Sequence, residues 1–305
     1  MNLRLSPPTR GALRLSSLAT LLFVLLATVS CGNSSQSNSS SRPTAPAPTG
    51  TVPAFGHVVL VVEENSSYSQ VIGNSAMPYL NSLATQYGLA TQYYADFHPS
   101  ICNYFMLTAG QFITCDDAYT GTVGVDNIVH ELLAAGKTWK GYAESRGDPT
   151  LYDRGHDPLS FLSDVVNSPT QKQNLVSFSQ FSSDLANNAL PNFSFITPNL
   201  VDDAHNAPLQ VADSWLKTNI GPLIANSQFQ QDGLLIITFD ESTGSDSEHG
   251  GGHVATVIVS AKARQGFQST TFYQHESTLR LILQALGISN FPGASSTAPS
   301  MGEFF

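Results

Sequence analysis

Charged side chains are scarce in this 305-residue chain, at 12%, and lysine and arginine number 13 against 23 acids. The resulting formal charge of −10 repels a phosphate backbone, which excludes non-specific nucleic-acid binding. If the chain handles a phosphorylated molecule, something other than a broad basic surface must attract it, and a bound metal ion would do so locally. Long apolar runs are missing too. The best one, Leu18 to Val29, falls well short of the roughly 20 residues a membrane-spanning helix needs. Low hydrophobicity is not among the absences: 41% of residues are hydrophobic, too many for a disordered chain and ordinary for a globular core. The length suits one large α/β domain.

The N-terminus reads as an address. Arg4, Arg10 and Arg14 form a basic region without an acid, Leu18 to Val29 an apolar core, and Thr28-Val29-Ser30-Cys31 a junction before a polar run. Residues 1–30 are therefore expected to be a signal peptide, and losing its three positive charges would take the chain from −10 to −13. The junction resembles a bacterial lipoprotein signal, in which Cys31 is lipidated and becomes the first residue. Thr28 stands where leucine is usual, and plain secretion is the alternative. The expected location is periplasmic or outer-surface, membrane-anchored through Cys31 or otherwise secreted. Residues 31–52, rich in Ser, Pro and Thr, read as a flexible tether. Beyond Cys31 the chain has only Cys102 and Cys115, which in an exported domain either form a bridge or remain two buried thiols.

The folded domain is expected over 53–292, with 293–305 a small, polar tail up to Phe304-Phe305. His57 to Val62 is a continuous apolar, β-branched run, the pattern of a strand covered on both faces. Thr138 to Ala143, Phe193 to Thr197, Leu234 to Phe239 and Val254 to Ser260 are further strands. Between them fall helices with ordinary punctuation: Pro78 to Tyr87 closed by Gly88, Asn127 to Ala135 closed by Gly136, Leu209 to Ile220, and His275 to Leu286 closed by Gly287. This rhythm predicts an α/β fold, a mostly parallel central sheet with helices on both faces.

The acids carry the functional signal. Glu63-Glu64-Asn65 follows the first strand directly, and Asp240-Glu241 follows Leu234 to Phe239 directly. Ligands in open α/β sheets collect beyond the carboxyl ends of strands, so the two clusters can converge. Carboxylates packed together must protonate or find a cation, and oxygen ligands suit a divalent metal ion.

Five blocks in order then resemble the bacterial and fungal phosphoesterase family that holds acid phosphatases and phosphatidylcholine-type phospholipases C. They are HVVLVVEENSSYSQVIG (57–73), HPSICNYFMLTAG (98–110), ITPNLVDDAHNA (196–207), LLIITFDES with GGGHVATVIVS (234–242 and 250–260), and YQHESTLRLILQALGI (273–288). The resemblance implies the alkaline-phosphatase-like fold, and lengths nearer the short acid phosphatases. It implies Glu64, Asn65, Ser100, Asp240 and Glu241 as the metal shell, with Ser100 the nucleophile and Asn103 a donor to a phosphoryl oxygen. Cys102 stands where the family has proline. Asp203 and His205 match its Asp-x-His, with Asp202 an alternative register. His205 would bind a second metal, bind phosphate or protonate the leaving alcohol. His98, His253 and His275 are further candidates to line the site. Glu63 is either a supporting acid or solvated.

The implied reaction is phosphomonoester hydrolysis through a phosphoserine on a phosphorylated small molecule or a phospholipid head group. The alternatives are a phospholipase-C-like phosphodiesterase and a non-catalytic ion-binding surface lipoprotein. Oxygen-rich ligation suits Ca, Mg or Mn, and the histidines leave room for Zn or Fe.

Overall fold

The structure, a computed structural model, describes residues 50–305. The signal peptide read over 1–30, Cys31 and nearly all of the tether lie outside these residues.

Among the described residues, eight strands form one sheet: β1 (His57–Glu63), β2 (Gly88–Ala90), β3 (Trp139–Ala143), β4 (Leu175–Ser177), β5 (Phe193–Thr197), β6 (Gly233–Phe239), β7 (Thr256–Val259) and β8 (Phe267–Ser269). Their order is β4-β3-β5-β1-β6-β7-β2-β8. Every pairing is parallel except those of β7, which runs against both β6 and β2. β1 and β6, the two strongest apolar runs, sit together at the centre and are buried nearly throughout. Val, Ile and Leu fill both faces because helices cover both, as the unbroken pattern requires. The fold predicted from sequence, α/β with a mostly parallel central sheet, is the fold observed.

Register decides what stands at the sheet's carboxyl edge. Val61 pairs with Ile237, Val62 with Thr238 and Glu63 with Phe239. Asp240 continues that ladder, its N–H donating to Glu63 O at 3.0 Å. Glu64 and Asp240 are therefore neighbours by strand pairing. Val61 also pairs with Ile196, so the segment after β5 begins alongside them.

Helix ends follow local chemistry. Pro78–Gln86 begins without a side-chain cap of its own. The buried carboxylate of Asp213 supplies one, accepting from Tyr79 N at 3.0 Å and Leu80 N at 2.9 Å. Asn127 caps Ile128–Ala134 through Val129 N and His130 N. Ser100–Ala109 ends at Gly110, φ 61°, where a Cβ would lie 2.5 Å from Pro292 O. The run read as one helix over Leu209 to Ile220 is α-helical only to Trp215 and continues as a π-helical turn over Leu216–Ile220. Residues 293–305, small and polar in composition, nevertheless pack on the domain: Met301 and Phe304 enter the core, and the Phe304 ring stands 5.4 Å from that of Phe267.

Candidate active site

Ser100 opens the helix Ser100–Ala109 and is buried. Pro99 takes the N-cap position, so Ser100 lies inside the first turn and its hydroxyl is free for other work. That hydroxyl donates to Glu64 Oε2 at 3.2 Å. Glu64, fully buried, also accepts from Asn65 Nδ2 at 3.0 Å and, through Oε1, from the Tyr104 hydroxyl one turn along the same helix. Asn65 adopts φ 48°, a left-handed conformation asparagine tolerates, which turns the chain sharply off β1. The turn points Asn65 N–H at Asp240 Oδ1, 3.1 Å away.

The segment after β5 brings Asp203 to the same place. Glu64 N donates to Asp203 O at 2.8 Å, and Asp203 is buried. His156, from the segment after β3, completes the group. Its Nδ1 lies 3.3 Å from Glu64 Oε1 and 3.6 Å from Asp203 Oδ2, and its ring stacks on Tyr104 at 5.3 Å. Ligand atoms of Glu64, His156 and Asp203 lie within 4.8 Å of one another.

The electrostatics are severe. Burial holds the Glu64 carboxyl far above the usual range, Asp240 and Asp203 push it further, and the Tyr104 hydrogen bond opposes them. Burial likewise raises Asp240, against the pull of Ser100 and His156. Glu241 is pushed up to about 9 by burial, then by Asp240 and Asp117. Burial works against a charge on His156, but the nearby Asp203 carboxylate and the field of Asp240 outweigh it and leave the ring more basic than usual. One oxygen each of Asp203 and Asp240 is buried without a hydrogen-bond partner.

A divalent cation fits this arrangement. A proton on His156 Nδ1 stands between two carboxylates, where positive charge is in demand. Once deprotonated, the same atom offers a lone pair to the same spot. The orphaned oxygens of Asp203 and Asp240 are the donors a cation would satisfy.

The remaining residues singled out from sequence fall around this centre. Glu241 Oε2 meets His98 Nδ1 at 3.0 Å and the Asn103 amide at 3.5 Å. The Asn103 amide is occupied by the turn before the helix: Oδ1 accepts from Asp96 N and Phe97 N, and Nδ2 donates to Phe97 O. His205 is exposed at the rim, its ring 5.8 Å from that of His156. Ala204, at φ 77°, kinks the chain between Asp203 and His205. His275 is fully buried behind the centre, with Nε2 2.6 Å from Asp240 O and Nδ1 3.1 Å from the Tyr93 hydroxyl. Both ring nitrogens are taken, and burial lowers the pKa of the ring to about 4. His253 is stacked between Tyr68 and Tyr94 and bonded to Thr91 O, held by packing. Glu63 is fully buried, and burial followed by Asp203 and Asp202 raises its carboxyl well above the usual range. Cys102 and Cys115 are bridged, Cα–Cα 4.9 Å, which ties the start of the Ser100 helix to the loop after it. Sequence reasoning missed His156 and Tyr104. His156 follows no strand end directly, and Tyr104 has the pattern of one more aromatic in an apolar helix.

Solved structures share this architecture. A protein of the alkaline phosphatase superfamily from Vibrio parahaemolyticus superposes with a TM-score of 0.59 at 13% identity, covering 80% of this chain and 69% of that one. The fold is thus that of the alkaline phosphatase superfamily. By sequence, the chain belongs to the Phosphoesterase family, whose sequence model matches residues 73–289, a span that holds Ser100, His156, Asp203 and Asp240. A phosphatidylinositol-3-phosphatase of Mycobacterium tuberculosis is 33% identical over 263 residues, 83% of this chain and 84% of the relative. A probable acid phosphatase of Kluyveromyces lactis is 31% identical over 242 residues, 74% of this chain. The chain matches only 57% of that yeast relative's length.

Proposed function

We propose that this chain is a cation-dependent phosphoesterase that hydrolyses phosphomonoesters through a phosphoserine on Ser100. One observation carries the reading: a serine hydroxyl in the first turn of a helix, bonded to Glu64, borders buried carboxylates and an imidazole that a cation would reconcile. The relatives' names, acid phosphatase and phosphatidylinositol-3-phosphatase, agree with that chemistry.

Glu64, Asp203 and His156 would hold the cation, with Asp240 beside them. When bound, it would supply Lewis-acid chemistry, neutralising phosphoryl charge and lowering the pKa of a neighbouring hydroxyl. Carboxylates with an imidazole suit Mn, Fe or Zn better than Ca. Ser100 Oγ attacks phosphorus as it gives up its proton toward Glu64 Oε2. The positive end of the Ser100 helix faces the charge that spreads over the phosphoryl oxygens. The ester P–O bond breaks, and the departing alkoxide takes a proton from His205 at the rim. Water then attacks the phosphoserine and gives a proton to His205, and Ser100 Oγ takes its proton back from Glu64 as the P–Oγ bond breaks.

The natural substrate in this reading is a phosphorylated small molecule or a phospholipid head group. Export is part of the proposal. The basic and apolar pattern of residues 1–30 supports it, and so does the Cys102–Cys115 bridge, which persists in an oxidising compartment. Lipidation of Cys31 would hold the enzyme at a membrane.

Ser100→Ala is the direct test. Release of p-nitrophenol from p-nitrophenyl phosphate should fall by more than about a thousandfold while cation affinity changes little. Full activity in that variant would end the nucleophile assignment. Faster cleavage of the p-nitrophenyl phosphorylcholine diester than of the monoester would move the wild type to the phosphodiesterase class.

A further inference from the structure

The helix start beside Ser100 is not an open seat for an anion. Asp117 Oδ1 already accepts from the N–H of Ile101, the residue after the proposed nucleophile, over a long 3.5 Å. The Cys102–Cys115 bridge joins the same two segments, one residue past Ile101 and two before Asp117, so the loop keeps the carboxylate within reach. Asp117 is exposed, so water can take it up when it lets go. Its charge also bears on Glu241 across the mouth of the site.

A phosphoryl group passing to Ser100 Oγ spreads negative charge over oxygens about one peptide unit from that N–H. Asp117 and the phosphate therefore compete for one donor and repel each other. We propose that Asp117 is a specificity-determining residue, an anion built into the chain that occupies the Ile101 N–H and must yield to the phosphoryl group. This rests on reading Ser100 as the phosphoryl acceptor. Two consequences follow for ligands. Inorganic phosphate, the product, is held weakly and leaves readily. Esters with a second negative charge close to phosphorus are disfavoured against those with a neutral remainder. The same loop offers such a remainder an apolar edge, since Phe112 is 55% exposed and packs against Phe97 at 5.2 Å.

The test uses the cation-loaded full chain and its Asp117→Asn variant. Calorimetric titration with inorganic phosphate should show binding tightened about three- to fivefold, the effect of one partly screened surface charge. The kcat/KM ratio of phenyl phosphate to phosphoglycolate, which carries an extra carboxylate, should fall by a similar factor. The kcat for phenyl phosphate should stay within about twofold, because Asp117 competes for the seat without taking part in bond breaking. Unchanged or weaker phosphate binding overturns the proposal and leaves Asp117 a plain helix cap. If Asp117→Asn fails to fold, Asp117→Ser carries the same expectation and the same overturning result. A wild type that binds phosphate but releases it from no ester would end the phosphatase reading and with it the specificity role, while tighter binding by the variant would still show Asp117 competing with the anion for the Ile101 N–H.

Discussion

Replacing Tyr104 with phenylalanine removes one oxygen and leaves the ring in place between His156 and Phe195. The lost hydroxyl donates to Glu64 Oε1. A hydrogen bond to an ionised group contributes about 1.5–3 kcal/mol. At roughly 1.4 kcal/mol per factor of ten, that is one to two powers of ten in any equilibrium that requires Glu64 to be ionised. Cation binding is such an equilibrium, so affinity for Mn or Zn should fall about 10- to 100-fold, the usual cost of losing a group that orients a ligand. The pH midpoint of binding should rise as well, because the Tyr104 bond is what holds the Glu64 carboxyl down against burial, Asp240 and Asp203. Without the cation the change matters less. Burial and the neighbouring acids then favour the neutral carboxyl of Glu64, and a bond to a neutral carboxyl contributes about 1 kcal/mol, or about 2–4 °C in Tm for a domain of this size. Competition against a fluorescent chelator measures the affinity, and thermal unfolding in EDTA measures the second effect. Turnover should recover to within a few-fold at saturating cation, since Tyr104 touches Glu64 and not the reacting serine. Affinity lowered less than threefold, or a kcat deficit that saturating cation leaves in place, would refute the assignment of Tyr104 as a support for ionised Glu64.

Two more outcomes follow from the same geometry. The carboxyls of Glu63, Glu64, Asp240 and Glu241 all have folded pKa values above their unfolded ones, Glu241 at about 9. Between about pH 4.5 and 9 the unfolded chain releases protons that the folded chain keeps, so stability of the cation-free protein should fall as pH rises. His275 and His253 work the other way, His275 losing stability as pH falls from 6.5 toward about 4, but the raised groups, Asp96 at about 9 among them, outnumber them. Denaturant melts in EDTA at pH 5 and pH 8 check the slope, and greater stability at pH 8 would contradict it. The Cys102–Cys115 bridge closes a loop of sequence separation 13. Its removal by the double alanine variant should cost about 3 kcal/mol, or roughly 6–12 °C in Tm. A loss under about 2 °C would show that the loop is held by packing alone.

The fold was legible because its strongest elements are extreme in composition. β1 and β6 each carry an unbroken apolar run, Val58 to Val62 and Leu234 to Ile237, and only a two-sided burial tolerates that. β2, β4 and β8 were not legible. Each is three residues long, with no room for a period to show, and each exists because a neighbouring strand offers its edge. The antiparallel run of β7 was hidden for a related reason. A buried strand carries the same residues in either direction, and only the length of its connection sets its sense. The packing of the tail was not legible, because composition does not announce that Met301 and Phe304 enter the core.

At the site, Glu64 and Asp240 were legible because each ends a strand whose pairing was strong enough to foresee. His156 was not, since it lies in a short 3-10 turn, Arg154–His156, that no periodicity announces. Charge balance still required something like it. Glu64, Asp203 and Asp240 converge in a buried space where their full ionisation is untenable without positive charge. Tyr104 and the N–H of Asn65 offer only hydrogen bonds, and His98 is engaged with Glu241. Lysine and arginine are scarce, 13 in 305 residues, and the guanidinium of Arg146 is spent on Asp157. A lysine or arginine would also remain charged at any ordinary pH, and so would compete with a divalent cation for the same carboxylates rather than help to hold it. An imidazole is the group that can supply a proton when the cation is away and a lone pair when it is present. That dual capacity, rather than any pattern around residue 156, is the reason a histidine belongs between Glu64 and Asp203.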